Sequence, residues 1–291
     1  MTPLTEQQYG VFLDHRMIGR LHQRDDVTRF VFEDDYWNDP ARAILGLRFE
    51  DDPRAPYRSK MRLPPWFSNL LPEGRLRDWI ARARDVSPQR EMELLAQVGH
   101  DLPGAVQVRT LDSAAPSDMH LESEHPSSSD AGPFSIWRFS LAGVGLKFSM
   151  LARGEHLTIP AVNESGDWIL KLPESQFQNV PLNEFAMMTL ATAIGINTPE
   201  IRLVHRDLIG PLPDNAWPSK EDRAYAVKRF DRGPGREPIH IEDMAQVRGF
   251  YPERKYHGSF ETIAALIYRG QDSAGLREFA RRMTFNILIG N

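Results

Sequence analysis

Three positions in the middle of the chain have residue types and spacing that could carry chemistry. Ala142-Gly143-Val144-Gly145 forms a turn that runs into Leu146 and Lys147. Glycines at 143 and 145 permit a sharp bend and leave backbone N–H groups uncovered, which lets a loop approach phosphate oxygens. Lys171 follows Trp168, Ile169 and Leu170, and Glu184 stands early in "VPLNEF", just after Pro181. A lysine among apolar strand residues points either to solvent or into a cleft. An acid in the first turn of a helix serves either the helix dipole or a partner. Each feature alone has a plainer reading: a two-glycine hairpin, an edge-strand lysine, a favourable charge at a helix start. The turn is not a Walker A loop, since no Gly-Lys-Ser/Thr opens a helix there, nor a dinucleotide fingerprint, since no helix follows. Lysine is scarce, with Lys60, Lys147, Lys171, Lys220, Lys228 and Lys255 the only six among 35 basic residues. A chain that otherwise uses Arg keeps a compact point charge at these places.

The elements that would position these groups can be read from periodicity. "YGVFLDHRMIGRLHQ" and "VTRFVFED" alternate as short strands, with Asp25-Asp26 as turn chemistry. From about Pro72 the period changes, so that Leu76, Trp79 and Ile80 share one helical face. After Ser87-Pro88, Met92, Leu95 and Val98 share another, which Gly99 ends. "GAVQVRTL" reads as a strand. "DSAAPSDMHLESEHPSSSDAGP" has the composition of a loop or linker that supports no core. His120, Glu122, Glu124 and His125 lie in it without a helix to align them, which favours a solvated loop over a metal site. Beyond it, "FSIWRFSL", "LKFSMLAR", "DWILKLP", "EIRLV" and "AYAVKRFDR" read as strands. "PLNEFAMMTLATAIGI", "SFETIAALIYRG" and "LREFARRMTFNILIGN" read as helices.

Composition bounds the function. The formal charge of −5 gives no global basic footprint, which disfavours direct nucleic-acid binding. The absence of cysteine excludes disulfides and thiolate metal sites. The N-terminus has no signal-like pattern and no window reaches the length of a membrane span, so a cytoplasmic protein is expected. A glycine turn between strands, a strand lysine, a helix glutamate, further strands and then helices is the order of a protein-kinase N-lobe.

Several motifs carry a closer likeness. "FSNLLPEG", "VGHDLPGAV", "FSLAGVGLKFSM", "WILKLPE", "NEFAMMTLATAIGI", "AVKRFDR" and "HIEDMAQVRG" occur in the order seen in the HipA family of bacterial serine/threonine kinase toxins, and the chain resembles that family over nearly its whole length. The resemblance implies an α+β fold with a small N-terminal domain at 1–110, a Ser/Pro-rich linker at 111–133, a kinase-like N-lobe at 134–236 and the start of a helical C-lobe at 237–291. It implies that Ala142, Gly143, Val144, Gly145, Leu146 and Lys147 form the nucleotide-phosphate loop and that Lys171 binds phosphate. Lys228, Arg229 and Phe230 then lie beside adenine, Glu184 is the candidate orienting partner of Lys171, and Ser140 is the candidate autophosphorylation site. Gly145 stands where many relatives carry Gln, which makes this loop more flexible.

The implied cofactors are ATP and Mg2+. The implied partners are a helix-turn-helix antitoxin of HipB type, with DNA reached through it, and a translation-related protein substrate such as an aminoacyl-tRNA synthetase. The family's Asp-x-His-x-Lys-Asn catalytic loop is expected directly after "LIGN", with a metal-binding Asp further on. Asp231 and Asp243 belong by motif to the lobe connection and the following helix rather than to catalysis. The expectation is therefore a kinase architecture with little or no transfer activity in this polypeptide. The alternative is a non-catalytic nucleotide- or partner-binding regulatory module of a toxin–antitoxin system.

Overall fold

The computed structural model describes residues 6–53, 55–83, 85–111, 146–161, 164–212 and 216–290. Their fold is α+β, built on two five-stranded antiparallel sheets. The first is formed by β1 (Gln7–Leu13), β2 (Arg16–Arg24), β3 (Val27–Phe32), β4 (Arg58–Lys60) and β5 (Val106–Thr110), in the order β4-β3-β2-β1-β5. Asp14 and His15 both have positive φ, 49° and 68°, which gives the two-residue hairpin turn whose twist suits the flanking strands. Alternation sets the buried face: Thr28 and Phe30 of β3 point inward while Val27, Arg29 and Val31 are exposed.

Between β3 and β5 run α1 (Asp34–Trp37), α2 (Leu47–Asp51), α3 (Pro65–Ser68), α4 (Gly74–Ala83) and α5 (Glu91–Val98). The predicted helical faces are the buried ones, with Leu76 and Ile80 on α4 and Met92, Leu95 and Val98 on α5. The shorter elements α1 to α3 and β4 were not legible, because three to five residues do not make a readable periodic pattern. Their cohesion is aromatic. Phe49 is fully buried, with ring centroids 5.6 Å from Phe30, 5.3 Å from Phe32, 4.6 Å from Tyr57 and 5.6 Å from Trp66.

The second sheet comprises β6 (Lys147–Arg153), β7 (His156–Thr158), β8 (Trp168–Lys171), β9 (Ile201–His205) and β10 (Arg223–Lys228), in the order β7-β6-β8-β10-β9. Helix α6 (Val180–Ala193) crosses between β8 and β9 in sequence and packs on β9 and β10. The chain then adds α7 (Met244–Arg248), α8 (Phe260–Tyr268) and α9 (Ser273–Ile289). Phe148, Met150, Trp168 and Leu170 of the second sheet belong to the same buried apolar cluster as the first sheet's Val11, Leu21 and Phe30. A smaller cluster of Ala191, Ile196 and Phe285 joins α6 to α9. The predicted strand "FSIWRFSL" lies outside the described residues.

The segment after β10 returns to the first domain and is fastened there by polar contacts. Glu242 accepts from Trp66 Nε1 at 2.7 Å and from the Leu47 amide at 3.0 Å, His240 bonds Leu45 O at 2.7 Å, and Asn69 donates to Phe250 O at 2.7 Å. Among the described residues, no helix is long and apolar enough to cross a membrane.

Candidate active site

Antiparallel register places three side chains in a row across the second sheet. Lys171 on β8 faces Lys147 of β6 on one side and Tyr225 of β10 on the other. Within β8 the period-two alternation buries Trp168 and Leu170 in the core and turns Ile169 and Lys171 to the opposite face. Helix α6 covers that face and carries Glu184, whose carboxylate accepts a hydrogen bond from Lys171 Nζ. The Lys171 ammonium also lies 5.6 Å from the centre of the Tyr225 ring. The two groups singled out 13 residues apart in sequence therefore meet as an ion pair.

These residues line a cleft of about 780 Å³. Ile169, Met188, Val227, Phe230 and Ile241 supply apolar surface, Lys147, Lys171 and Glu184 a charged group about one row of the sheet, and Lys228 and Arg282 further cations in the lining. A partly apolar cleft lined by several cations suits a flat, partly apolar ligand that carries anionic oxygens. A cavity of similar size, about 720 Å³, lies where Arg62 and Glu91 of the first domain meet Pro252 and Glu253, and it does not include Lys171 or Glu184.

Burial, and then the charge of Lys171, pull the pKa of Lys147 down from 10.5 to about 8, against the opposing effect of Glu73 and Glu184. A polyanion bound here gains from Lys147 only while that amine holds its proton. Affinity for inorganic tripolyphosphate is therefore expected to hold below about pH 8 and to fall roughly tenfold above it, as that charge is lost. Titration calorimetry on either side of that pH measures the fall, and Lys147→Met should flatten the profile. An equally steep profile in that variant would assign the titration elsewhere. Stability of the ligand-free fold has the opposite slope. Between about pH 8 and 10.5 the unfolded chain still binds the proton that the folded chain has released, so stability rises with pH there.

The other predicted site residues are distributed as follows. Leu146 is buried immediately before β6. Lys228 lies at the cleft edge with Nζ 3.9 Å from Glu200, and Phe230 is 68% exposed at its mouth. Arg229 is in the cleft wall, yet its guanidinium turns away and is buried against Asp101 and Asp231. Ala142, Gly143, Val144, Gly145 and Ser140 lie outside the described residues, as do His120, Glu122, Glu124 and His125. Asp231 is held by Arg229, Arg232 and the Gly104 amide, and Asp243 caps α7 by accepting from the Gln246 amide at 2.7 Å. Both are structural acids in this arrangement. Sequence reasoning missed Tyr225, Ile169 and Met188, whose cleft positions depend on strand register and helix docking. It also missed Pro103, although that residue sits inside the "VGHDLPGAV" motif.

The chain is similar to known proteins. Residues 9–109 match the family described as HipA N-terminal domain, and residues 139–291 match the HipA-like C-terminal domain. "Putative kinase Y4dM" of Sinorhizobium fredii is 42% identical over 296 residues, covering 96% of this chain and 70% of that protein. "Serine/threonine-protein kinase toxin HipA" of Shewanella oneidensis is 27% identical over 228 residues, covering 72% of this chain and 47% of that protein. Among solved structures, the Shewanella oneidensis HipA, HipB and operator DNA complex contains a chain that aligns with a TM-score of 0.67 and 21% identity, covering 97% of this chain and 70% of that one. At that identity the structural likeness is one of fold.

Proposed function

The chain belongs to the HipA family, and from that premise we propose that its cleft is the ATP site of a protein serine/threonine kinase acting as the toxin of a toxin–antitoxin pair. The observation that carries this reading is the Lys171–Glu184 pair, joined between a central strand and the helix above it in a partly apolar cleft. ATP fits the chemistry of that cleft. Lys171 and Lys147 would hold phosphate oxygens, Glu184 would keep Lys171 aimed, and the apolar wall of Ile169 and Val227 would accept the base. ATP supplies the γ-phosphate that a protein hydroxyl would receive.

Among the described residues no group of three or more acids and histidines could hold a metal. Glu184 is engaged by Lys171, and Asp231 by two arginines. Residues 1–291 contain no Asp-x-His-x-Lys-Asn loop. In this reading the 291-residue polypeptide binds nucleotide and transfers its phosphate negligibly. Family membership also supports a HipB-type helix-turn-helix antitoxin as partner, with DNA reached through it, and a cytoplasmic protein substrate of the aminoacyl-tRNA synthetase kind.

Incubation of the purified polypeptide with radiolabelled ATP tests both halves. Nucleotide is expected to raise the melting temperature while no label appears on Ser140. Robust labelling would overturn the absence of transfer, and an unchanged melting temperature at saturating ATP would remove the nucleotide site.

A further inference from the structure

Behind the cleft wall lies a cluster of four charges, nearly sealed from solvent. Arg229, whose side chain is 1% exposed, makes a two-point contact with Asp231 at 3.0 and 2.8 Å and donates to Asp101 at 2.8 Å. Arg232 donates to the same Asp101 oxygen at 2.8 Å and to Asp231 at 2.9 Å. Ser149 of β6 donates to the other Asp101 oxygen at 2.8 Å, and the Gly104 amide donates to Asp231 at 2.9 Å. Two arginines and two aspartates balance in charge. Asp101 and Gly104 come from the first domain, more than 120 residues from the arginines.

Such a cluster could simply join the two domains. Two observations say more. Arg229 and Asp231 are themselves part of the segment that lines the cleft, and so is Pro103, two residues after Asp101. Gly104, with φ +77°, lies so close to Ile241 of the cleft wall that a Cβ would meet the Ile241 amide at 3.0 Å. Buried ion pairs contribute little net stability over apolar side chains of equal volume, so what they supply here is a fixed geometry.

We propose that Asp101 is a positioning residue for the nucleotide cleft, fixing the base-side wall at Lys228–Asp231 through Arg229 and Arg232, so that the first domain is a working part of the site. This rests on the ATP reading above. The direction of the effect follows from register. Lys171 faces Tyr225, whereas the fixed segment begins at Lys228 beside Trp168, three residues or about 10 Å further along the strand. Asp101 therefore governs the end of the cleft remote from Lys147 and Lys171, and losing it should weaken binding of the base while sparing that of the phosphates held by those two lysines.

The test compares ATP with inorganic tripolyphosphate by titration calorimetry on the 291-residue polypeptide. Asp101→Asn is expected to weaken ATP about tenfold, mid-range for residues coupled through one hydrogen-bond network, and to leave tripolyphosphate within about twofold. Asn69→Ala, which removes a domain-joining bond to Phe250 O away from the cleft, should lower the melting temperature without changing the ratio of the two affinities. If Asp101→Asn does not fold, Ser149→Ala takes its place, with the same selective loss at about threefold, since one of the three side chains holding Asp101 is removed. Equal losses for both ligands, or unchanged ATP affinity, would overturn the positioning role. If the unaltered polypeptide binds both ligands and Lys171→Ala loses both, that failure would leave the ATP reading intact. If the unaltered polypeptide binds neither, the ATP reading fails, and this proposal fails with it.

Discussion

Alanine at position 171 is expected to weaken ATP binding about a hundredfold or more and to abolish the nucleotide-induced rise in melting temperature. Two effects add. The ammonium that would donate charge-assisted hydrogen bonds to phosphate is lost, at roughly 1.5–3 kcal/mol for each bond to a charged group. The Glu184 carboxylate then stands in the cleft without its counter-ion and repels the incoming phosphates. Lys171→Arg should recover only part of the affinity, because a planar fork does not replace a compact ammonium between Glu184 and the Tyr225 ring. Glu184→Gln should cost less than Lys171→Ala, since the cation survives without its guide. Equal stabilisation by ATP in the Lys171→Ala variant and its parent would remove Lys171 from the site.

The largest effect on stability is expected at Phe49, where alanine should cost about 3–5 kcal/mol, the range for a buried phenylalanine whose cavity refills poorly. Refilling is poor here because the neighbours are rings. Phe30, Phe32, Tyr57, Trp66 and Phe67 all lie within 6.4 Å of the Phe49 centroid, and rigid planes do not flow into a void. Loss of Phe49 also frees Trp66, whose Nε1 donates to Glu242, so the damage extends from the first domain's core to the segment that leads back from β10. Thermal unfolding followed by circular dichroism measures the cost. A loss below about 1 kcal/mol would show that the ring cluster repacks. Phe49→Leu, which keeps most of the volume, should recover a large part of the loss.

What could be read from the sequence follows the range of the interactions involved. Lys171 and Glu184 were singled out as a strand lysine and an early helix acid 13 residues apart, and their pairing was expected by analogy with a kinase N-lobe. Helices α4 and α5 were found because their buried faces repeat over two turns or more. Arg229 was read as a neighbour of the ligand by position in the lobe connection. The fate of its guanidinium was not legible, because its partner Asp101 lies 128 residues earlier and no local pattern announces such a pairing. Tyr225 escaped notice for a related reason. Strand register decides which residue of β10 stands opposite Lys171, and a shift of one residue would have turned Tyr225 to the other face. The aspartates at 231 and 243 were left out of catalysis on motif grounds, and the structure shows their contacts, an ion cluster for Asp231 and a helix cap for Asp243.

The fastening of the segment after β10 onto the first domain has a consequence for how the protein is made. Asn69 finds its acceptor at Phe250, 181 residues downstream, and Trp66 finds Glu242 at a separation of 176. A ribosome adding about 5–20 residues per second leaves these donors waiting roughly 10 to 35 seconds. During that interval the first domain can form its sheet and ring cluster from its own residues, but its outer polar groups face solvent or a chaperone. The newborn domain is thus built early and sealed late, and the seal closes only once the cleft's own strands have been synthesised.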